Sequence, residues 1–245
     1  MPRLLPLGEA AWTVEFGDGI DPSLHARVMG FARALETAAL PGVIEWVPTF
    51  RSCTVHFDPL AEGAETLGAR LLEIADAAPP AALAGRRWRI PLLFGGEAGP
   101  DLAELAAHCG GSEEAVVAAI TAGVFRVYML GFMPGFPYLG GLPEALAMPR
   151  LATPRKTVPA RSLAVTGTLA AVYPCASPGG WRLLGRTPLE PFDPRLDPPA
   201  LFAPGDEVMW QAIDAAAYDR LEAAGAAGTL VREDFLVAPE APWPR

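Results

Sequence analysis

Hydrophobic and polar positions change rhythm twice along this chain. Ala11-Trp12-Thr13-Val14-Glu15-Phe16 alternates with period two, as a half-buried strand does. Asp21-Pro22-Ser23 then opens a helix, with a capping carboxylate and a proline in the first turn. Leu24, Val28, Phe31 and Leu35 follow on one helical face until Pro41-Gly42 stops it. Val43 to Val47 and Cys53 to Phe57 read as two strands joined by Pro48-Thr49-Phe50-Arg51. Leu67, Leu71 and Ile74 mark a second helix, and Arg87 to Leu93 a further strand. The order β-α-β-β-α-β is that of a ferredoxin-like split unit.

Ala77 to Ala82 resembles a linker lying between the second helix and that last strand. After Gly95-Gly96, short helical patterns appear near Asp101–His108 and Ser112–Ala122. From Val124 the texture becomes short apolar runs broken by Gly and Pro: Val124–Leu130, Leu163–Thr166, Ala170–Tyr173, Trp181–Leu184 and Val208–Ile213. Many short strands with dense turn signals predict a small barrel or sandwich. The expected class is α+β, with an α/β domain over 1–95 followed by a β-barrel domain over 96–245. The run Phe235-Leu236-Val237 is left open, to close the barrel or to reach a partner.

Composition excludes several classes. Of 245 residues 51% are hydrophobic and 19% charged, which excludes a disordered solvating chain. The net charge of −9 argues against indiscriminate nucleic-acid binding. No apolar stretch is long enough for a membrane span, and no signal peptide is legible, so no membrane role is expected. Three separated cysteines (Cys53, Cys109, Cys175) suit reduced thiols in a cytoplasmic protein. Lys156 follows Pro154-Arg155 rather than glycine, so a P-loop is absent. His25, His56 and His108 lack zinc spacing, and no metal site is expected. His108, near a helix C-terminus, suits the helix dipole.

One local anomaly breaks the acidic average. Between Ala145 and Leu189 stand Arg150, Arg155, Lys156, Arg161, Arg182 and Arg186, with no Asp or Glu. Such a field invites a small anion or an acidic partner surface; pairing with acids elsewhere, such as Glu144, Glu190 or Asp193, is the plainer alternative. Two turn-rich segments frame it. In Gly131 to Gly141, Gly135 with Phe136 and Tyr138 could wall an apolar pocket, or simply pack as a barrel corner. In the second segment, Ser177, Gly179 and Gly180 offer a backbone nest, with Arg186 and Thr187 following; a tight loop is the alternative. These eight residues are the candidate ligand-binding set. No catalytic residue is identifiable, and Asp193 is a spare acid.

GFMPGFPYLGGL, PRLATPRKTVPA and VYPCASPGGWRLLGRTPLEPFDP together resemble the family of the 5-oxoprolinase B subunit, allophanate hydrolase subunit 1 and a sporulation histidine-kinase inhibitor, the carboxyltransferase C/D type. IPLLFGGEAGPDLAELAAHCGGSEEAVV and RSCTVHFDP look like the same family. The resemblance implies a cyclophilin-like barrel after the α/β domain. It also implies a second cyclophilin-like subunit, a third component, and ATP used through the complex to open 5-oxoproline to glutamate. The kinase inhibitor implies a regulatory protein-binding module as an alternative, and urea carboxylase a carboxyltransfer component. Three positions depart from the pattern: Ile120-Thr121 replaces His-Ser or His-Thr, Arg161 a glycine, and Leu169 a glutamine. Losing an imidazole, an amide and a glycine implies an altered ligand preference.

Overall fold

The computed structural model describes residues 1–61, 63–81 and 85–238. The chain divides into two compact units, Met1–Leu83 and Ala84–Arg245. Ala82 of the linker-like stretch and 239–245 of the tail lie outside the described residues.

The first unit contains β1 (Arg3–Pro6), β2 (Ala11–Glu15), α1 (Pro22–Ala38), β3 (Val43–Pro48), β4 (Ser52–Phe57) and α2 (Ala64–Ala77). Asp21 caps α1, its carboxylate accepting from the Ser23 and Leu24 amides. The antiparallel sheet runs β1-β2-β4-β3, so β4 lies between β2 and β3, the two strands that α1 connects. One face carries Val14, Cys53, Val55 and Phe57, onto which α1 packs Val28, Phe31 and Leu35 and α2 packs Leu67 and Leu71. The outer position beside β2 is filled by β1, antiparallel to it.

The strand expected to close this sheet belongs elsewhere. β5 (Arg87–Phe94) pairs in parallel with β13 (Glu207–Ala212) over six residue pairs, from Arg87↔Glu207 to Leu92↔Ala212. The division therefore falls at 83/84, and the boundary drawn at 95 cuts through the barrel. Periodicity identified the strand, but its partner lies more than a hundred residues downstream, where local pattern is silent.

The second unit continues with α3 (Leu102–His108), α4 (Glu113–Ala122), β6 (Phe125–Leu130), β7 (Pro137–Gly140), β8 (Arg155–Val158), β9 (Ser162–Thr166), β10 (Leu169–Val172), β11 (Ser177–Gly179) and β12 (Arg182–Arg186). After β13 come α5 (Ala215–Ala226) and β14 (Leu236–Val237). Seven strands close a barrel in the order β12-β9-β10-β7-β6-β13-β5, with β12 returning to β5. A bulge in β12 between Leu183 and Gly185 bends it toward β5. A Cβ at Gly185 would stand 2.6 Å from the Leu93 carbonyl oxygen, so glycine permits the closure. β14 does not close the barrel. It pairs with Arg87 and Trp88 on the edge of β5 whose other end, Leu93–Phe94, takes β12.

Alternation along the strands separates an inside from an outside. Trp88, Ile90, Leu92, Phe125, Val127, Leu139, Leu163, Val165, Val172, Leu184 and Trp210 share the interior core, joined by Leu105, Val116 and Ile120 of α3 and α4. Asp206, buried just before β13, accepts from the Arg86 guanidinium, the Trp88 indole N–H and the Ala203 amide. A buried carboxylate is tolerated because those donors replace water.

Candidate functional site

On the outward face of β7, β9, β10 and β12 lies a second cluster, apart from the interior core. Ala164, Ala171, Tyr173 and Leu183 point outward there and pack with Phe136 and with Val158 of β8. The antiparallel ribbon β8–β11 lies against this face. Phe136 is at the centre. Its ring meets Tyr138 at 5.0 Å, Tyr173 at 5.1 Å, Phe132 at 5.4 Å and Trp181 at 6.1 Å between centroids, all near edge-to-face. Such contacts contribute about 0.5–1.5 kcal/mol each beyond area burial. Phe136 and Tyr173 are buried; Tyr138 and Trp181 are half-buried.

The ribbon is fastened by a buried carboxylate. Asp101, at the start of α3, accepts from the Leu183 amide at 2.6 Å and from Arg155 Nη2 at 2.6 Å, while its own amide donates to the Leu183 carbonyl at 3.0 Å. Arg155 also donates to the Trp181 carbonyl. The Leu151 amide donates to the Gly180 carbonyl at 2.7 Å. Burial pushes the hydroxyl pKa values of Tyr138 and Tyr173 up, and the Arg150 guanidinium opposes both shifts.

The structure gathers six of the eight predicted residues around this cluster. Phe136 and Tyr138 are in it. Gly135, at φ +75°, fits its Cα beside Phe192 and the Pro191 carbonyl, where a Cβ would collide at 2.6 and 2.8 Å. Ser177, Gly179 and Gly180 are on and beside β11. The Tyr173 hydroxyl lies over Gly179, 2.4 Å from where a Cβ would be. The Ser177 hydroxyl oxygen is buried without a hydrogen-bond partner. The backbone at Gly179 is extended and paired to Arg155, and neither glycine has positive φ, so the expected anion nest does not form.

Arg186 and Thr187 stand apart, beyond the far end of the β12 bulge. Arg186 Nε donates to the Ala160 carbonyl, and buried Thr187 donates its amide to the Arg161 carbonyl. Their neighbours are Tyr218 and Glu222 of α5. Burial raises the Tyr218 pKa, against the pull of Arg161 and Arg186. A cleft of about 1050 Å³ opens near this end, lined by Arg161, Glu190, Phe192, Glu222, Leu230 and Arg232 among others. Asp193 lines it too, but its carboxylate is held by Arg195, which lowers its pKa to about 2. None of the eight candidates lines the cleft.

The positive window resolves into two halves. Arg155 pairs with Asp101, Arg161 with Glu222 and Glu190, and Arg182 with Glu104. Of the acids anticipated from the sequence, only Glu190 takes part. Among the described residues, Arg150, Lys156 and Arg186 have no carboxylate partner. The sequence reading missed Tyr173, Trp181 and Arg150 as parts of the face. Alternation held the signal for one of them: if Val172 faces the interior, Ala171 and Tyr173 face out.

Comparison with known families covers most of the chain. The model for the carboxyltransferase domain, subdomain C and D, matches residues 2–202. This chain belongs to that family. In Escherichia coli O157:H7, a relative named as the 5-oxoprolinase B subunit is 42% identical, over 85% of this chain and 94% of the relative. The Bacillus subtilis protein of the same name is 38% identical, over 83% and 90%. Of the solved structures, TTHA0988 shares 35% identity with a TM-score of 0.74 over 88% of this chain; the chain spans only 41% of that one. Kluyveromyces lactis urea amidolyase matches 94% of this chain at a TM-score of 0.80, covering 16% of its own length. At 18% identity, that likeness concerns the fold alone.

The three departures from the family pattern lie off the aromatic face. Ile120 is fully buried in the interior core, so a histidine there would be a core imidazole. Leu169 opens β10 opposite Gly140 and Thr166. Arg161 occupies φ +68°, a left-handed conformation that glycine adopts freely, and spends its side chain on Glu222 and the Pro188 carbonyl. Among the described residues, no group of three or more His, Cys, Asp and Glu could hold a metal, and no helix is long and apolar enough to cross a membrane.

Proposed function

We propose that this chain is the B subunit of a multi-component 5-oxoprolinase, opening 5-oxoproline to glutamate with ATP used through the complex. The observation that carries the reading is the 36–42% identity to three relatives of that name, each matched over at least 90% of its length. The chemistry of the outer face supports one component of an assembly rather than a self-sufficient enzyme. It is a packed aromatic cluster, half-exposed only at Tyr138 and Trp181, with no histidine in it to move protons. The proposed partners are a second cyclophilin-like subunit and a third component, which complete the site.

In this reading Phe136, Tyr138, Tyr173 and Trp181 wall an apolar ring, and the unsatisfied Ser177 hydroxyl, beside Gly179 and Gly180, supplies a hydrogen bond to a polar substrate edge. Gly135 shapes the loop behind them. Arg186 and Thr187 form a separate end, where the guanidinium, free of carboxylates, suits an anionic group. The test is 5-oxoproline-dependent ADP release by the reconstituted components. Turnover that disappears when this chain is omitted supports the reading; turnover indifferent to its omission refutes it.

A further inference from the structure

We infer that the face of the barrel bearing the aromatic cluster docks an acidic surface of another protein component, with Phe132 at one margin of the cluster as the apolar anchor and Arg150 at another as the charged group. The inference rests on the multi-component reading above and adds the surface and the chemistry of the contact.

Two independent anomalies border the aromatic cluster, Phe132 against Phe136 and Arg150 near enough to Tyr138 and Tyr173 to act on their hydroxyls. Phe132 is 67% exposed and has φ +68°. A bulky residue in the left-handed region costs about 1–2 kcal/mol relative to an ordinary conformation. That conformation leaves the ring projecting into solvent with only an edge on Phe136. The other anomaly is charge. Among the described residues Arg150 has no carboxylate partner; it is exposed and stands over Gly180, 3.7 Å from the position of a Cβ there. Lys156, on the adjoining ribbon, is exposed and likewise unpaired.

The rest of the chain carries an excess of acid, yet residues 145–189 contain none, so the counter-charge must come from outside this stretch. A small anion would neutralise Arg150 but leave Phe132 bare. One protein surface bearing carboxylates around an apolar recess satisfies both. Buried aromatics flanked by Arg are the residue types that dominate interface energies.

Cys175 supplies a reporter. It is exposed, with its Sγ 3.6 Å from the Met133 sulfur, next to the anchor; Cys109 directly follows α3 and is half-buried against the interior core. The experiment titrates this chain with each purified partner component and follows maleimide labelling of Cys175 and Cys109 by mass spectrometry. Binding is expected to protect Cys175 and leave Cys109 unchanged. Phe132→Gly removes the ring while accepting the left-handed backbone, so it folds. Phe132→Gly and Arg150→Glu are each expected to weaken assembly by about tenfold. Raising salt from about 50 to about 300 mM should weaken the unaltered complex and narrow its difference from Arg150→Glu. If the unaltered chain assembles and turns over while both variants bind equally tightly and Cys175 stays reactive, the docking surface is wrong and the functional assignment stands. If the unaltered chain binds no component, both fall.

Discussion

Arg161 tests whether backbone strain can be separated from side-chain contacts at one position. Its φ of +68° costs a non-glycine residue about 1–2 kcal/mol. Against that stand an ion pair to Glu222 at 2.5 Å, about 0.2–1 kcal/mol for a partner 42% exposed, and a bond to the Pro188 carbonyl at 3.3 Å, about 0.5–1.5 kcal/mol. Arg161→Ala and Arg161→Gly lose the same contacts, but only glycine sheds the strain. Glycine returns about 0.4–1 kcal/mol of that through a more flexible unfolded chain. The net expectation is that Arg161→Gly is the more stable of the two by about 0.5–1 kcal/mol, or about 1–4 °C in Tm. Arg161→Ala should be the least stable of the three proteins. Thermal unfolding, with amide exchange across the β9–β10 hairpin, reads the second unit directly. An alanine variant as stable as the glycine one, or more so, would refute the reasoning.

Other outcomes follow from the same geometry. Gly135→Ala should lower the urea midpoint by the equivalent of about 2–4 kcal/mol, because strain at φ +75° adds to a collision with Phe192. Gly167→Ala, at φ +51° in open space, should cost only about 1 kcal/mol. The Asp193 carboxyl should titrate near 2 by carbon NMR, and Arg195→Ala should return its midpoint toward the ordinary range of about 4. Because the folded pKa is depressed, the stabilisation it brings is present above the unfolded value and is lost as pH falls toward 2. Burial pushes the Cys53 thiol up to about 12, so alkylation near neutral pH should modify Cys175 promptly and Cys53 only after unfolding.

Much of this protein is legible in local chemistry alone. Asp21 does cap its helix, since capping needs only a side-chain oxygen and an amide two or three residues on. Leu67 and Leu71 face the core as their spacing required. α5 has a local signal that the apolar spacing does not carry: Asp214 before an alanine-rich run is a helix start, and its carboxylate accepts from the Ala217 amide. The glycine- and proline-rich motifs pointed to Phe136, Tyr138 and Ser177, because turn residues betray where the backbone must bend.

What the sequence by itself determined, then, was most of the longer elements, the cap of α1, their buried faces, and the family; these depend on neighbours a few residues apart. Tertiary structure alone decided that β5 pairs with β13 rather than with the first sheet, that β8 and β11 meet as a ribbon, and that Arg186 parts company with the aromatic face. Each depends on partners far along the chain, held by ladder bonds, by Asp101 and by the packing of Tyr173 over Gly179. The same separation in space sorted six like charges into three paired with acids and three that, among the described residues, have none, a distinction that no local pattern encodes.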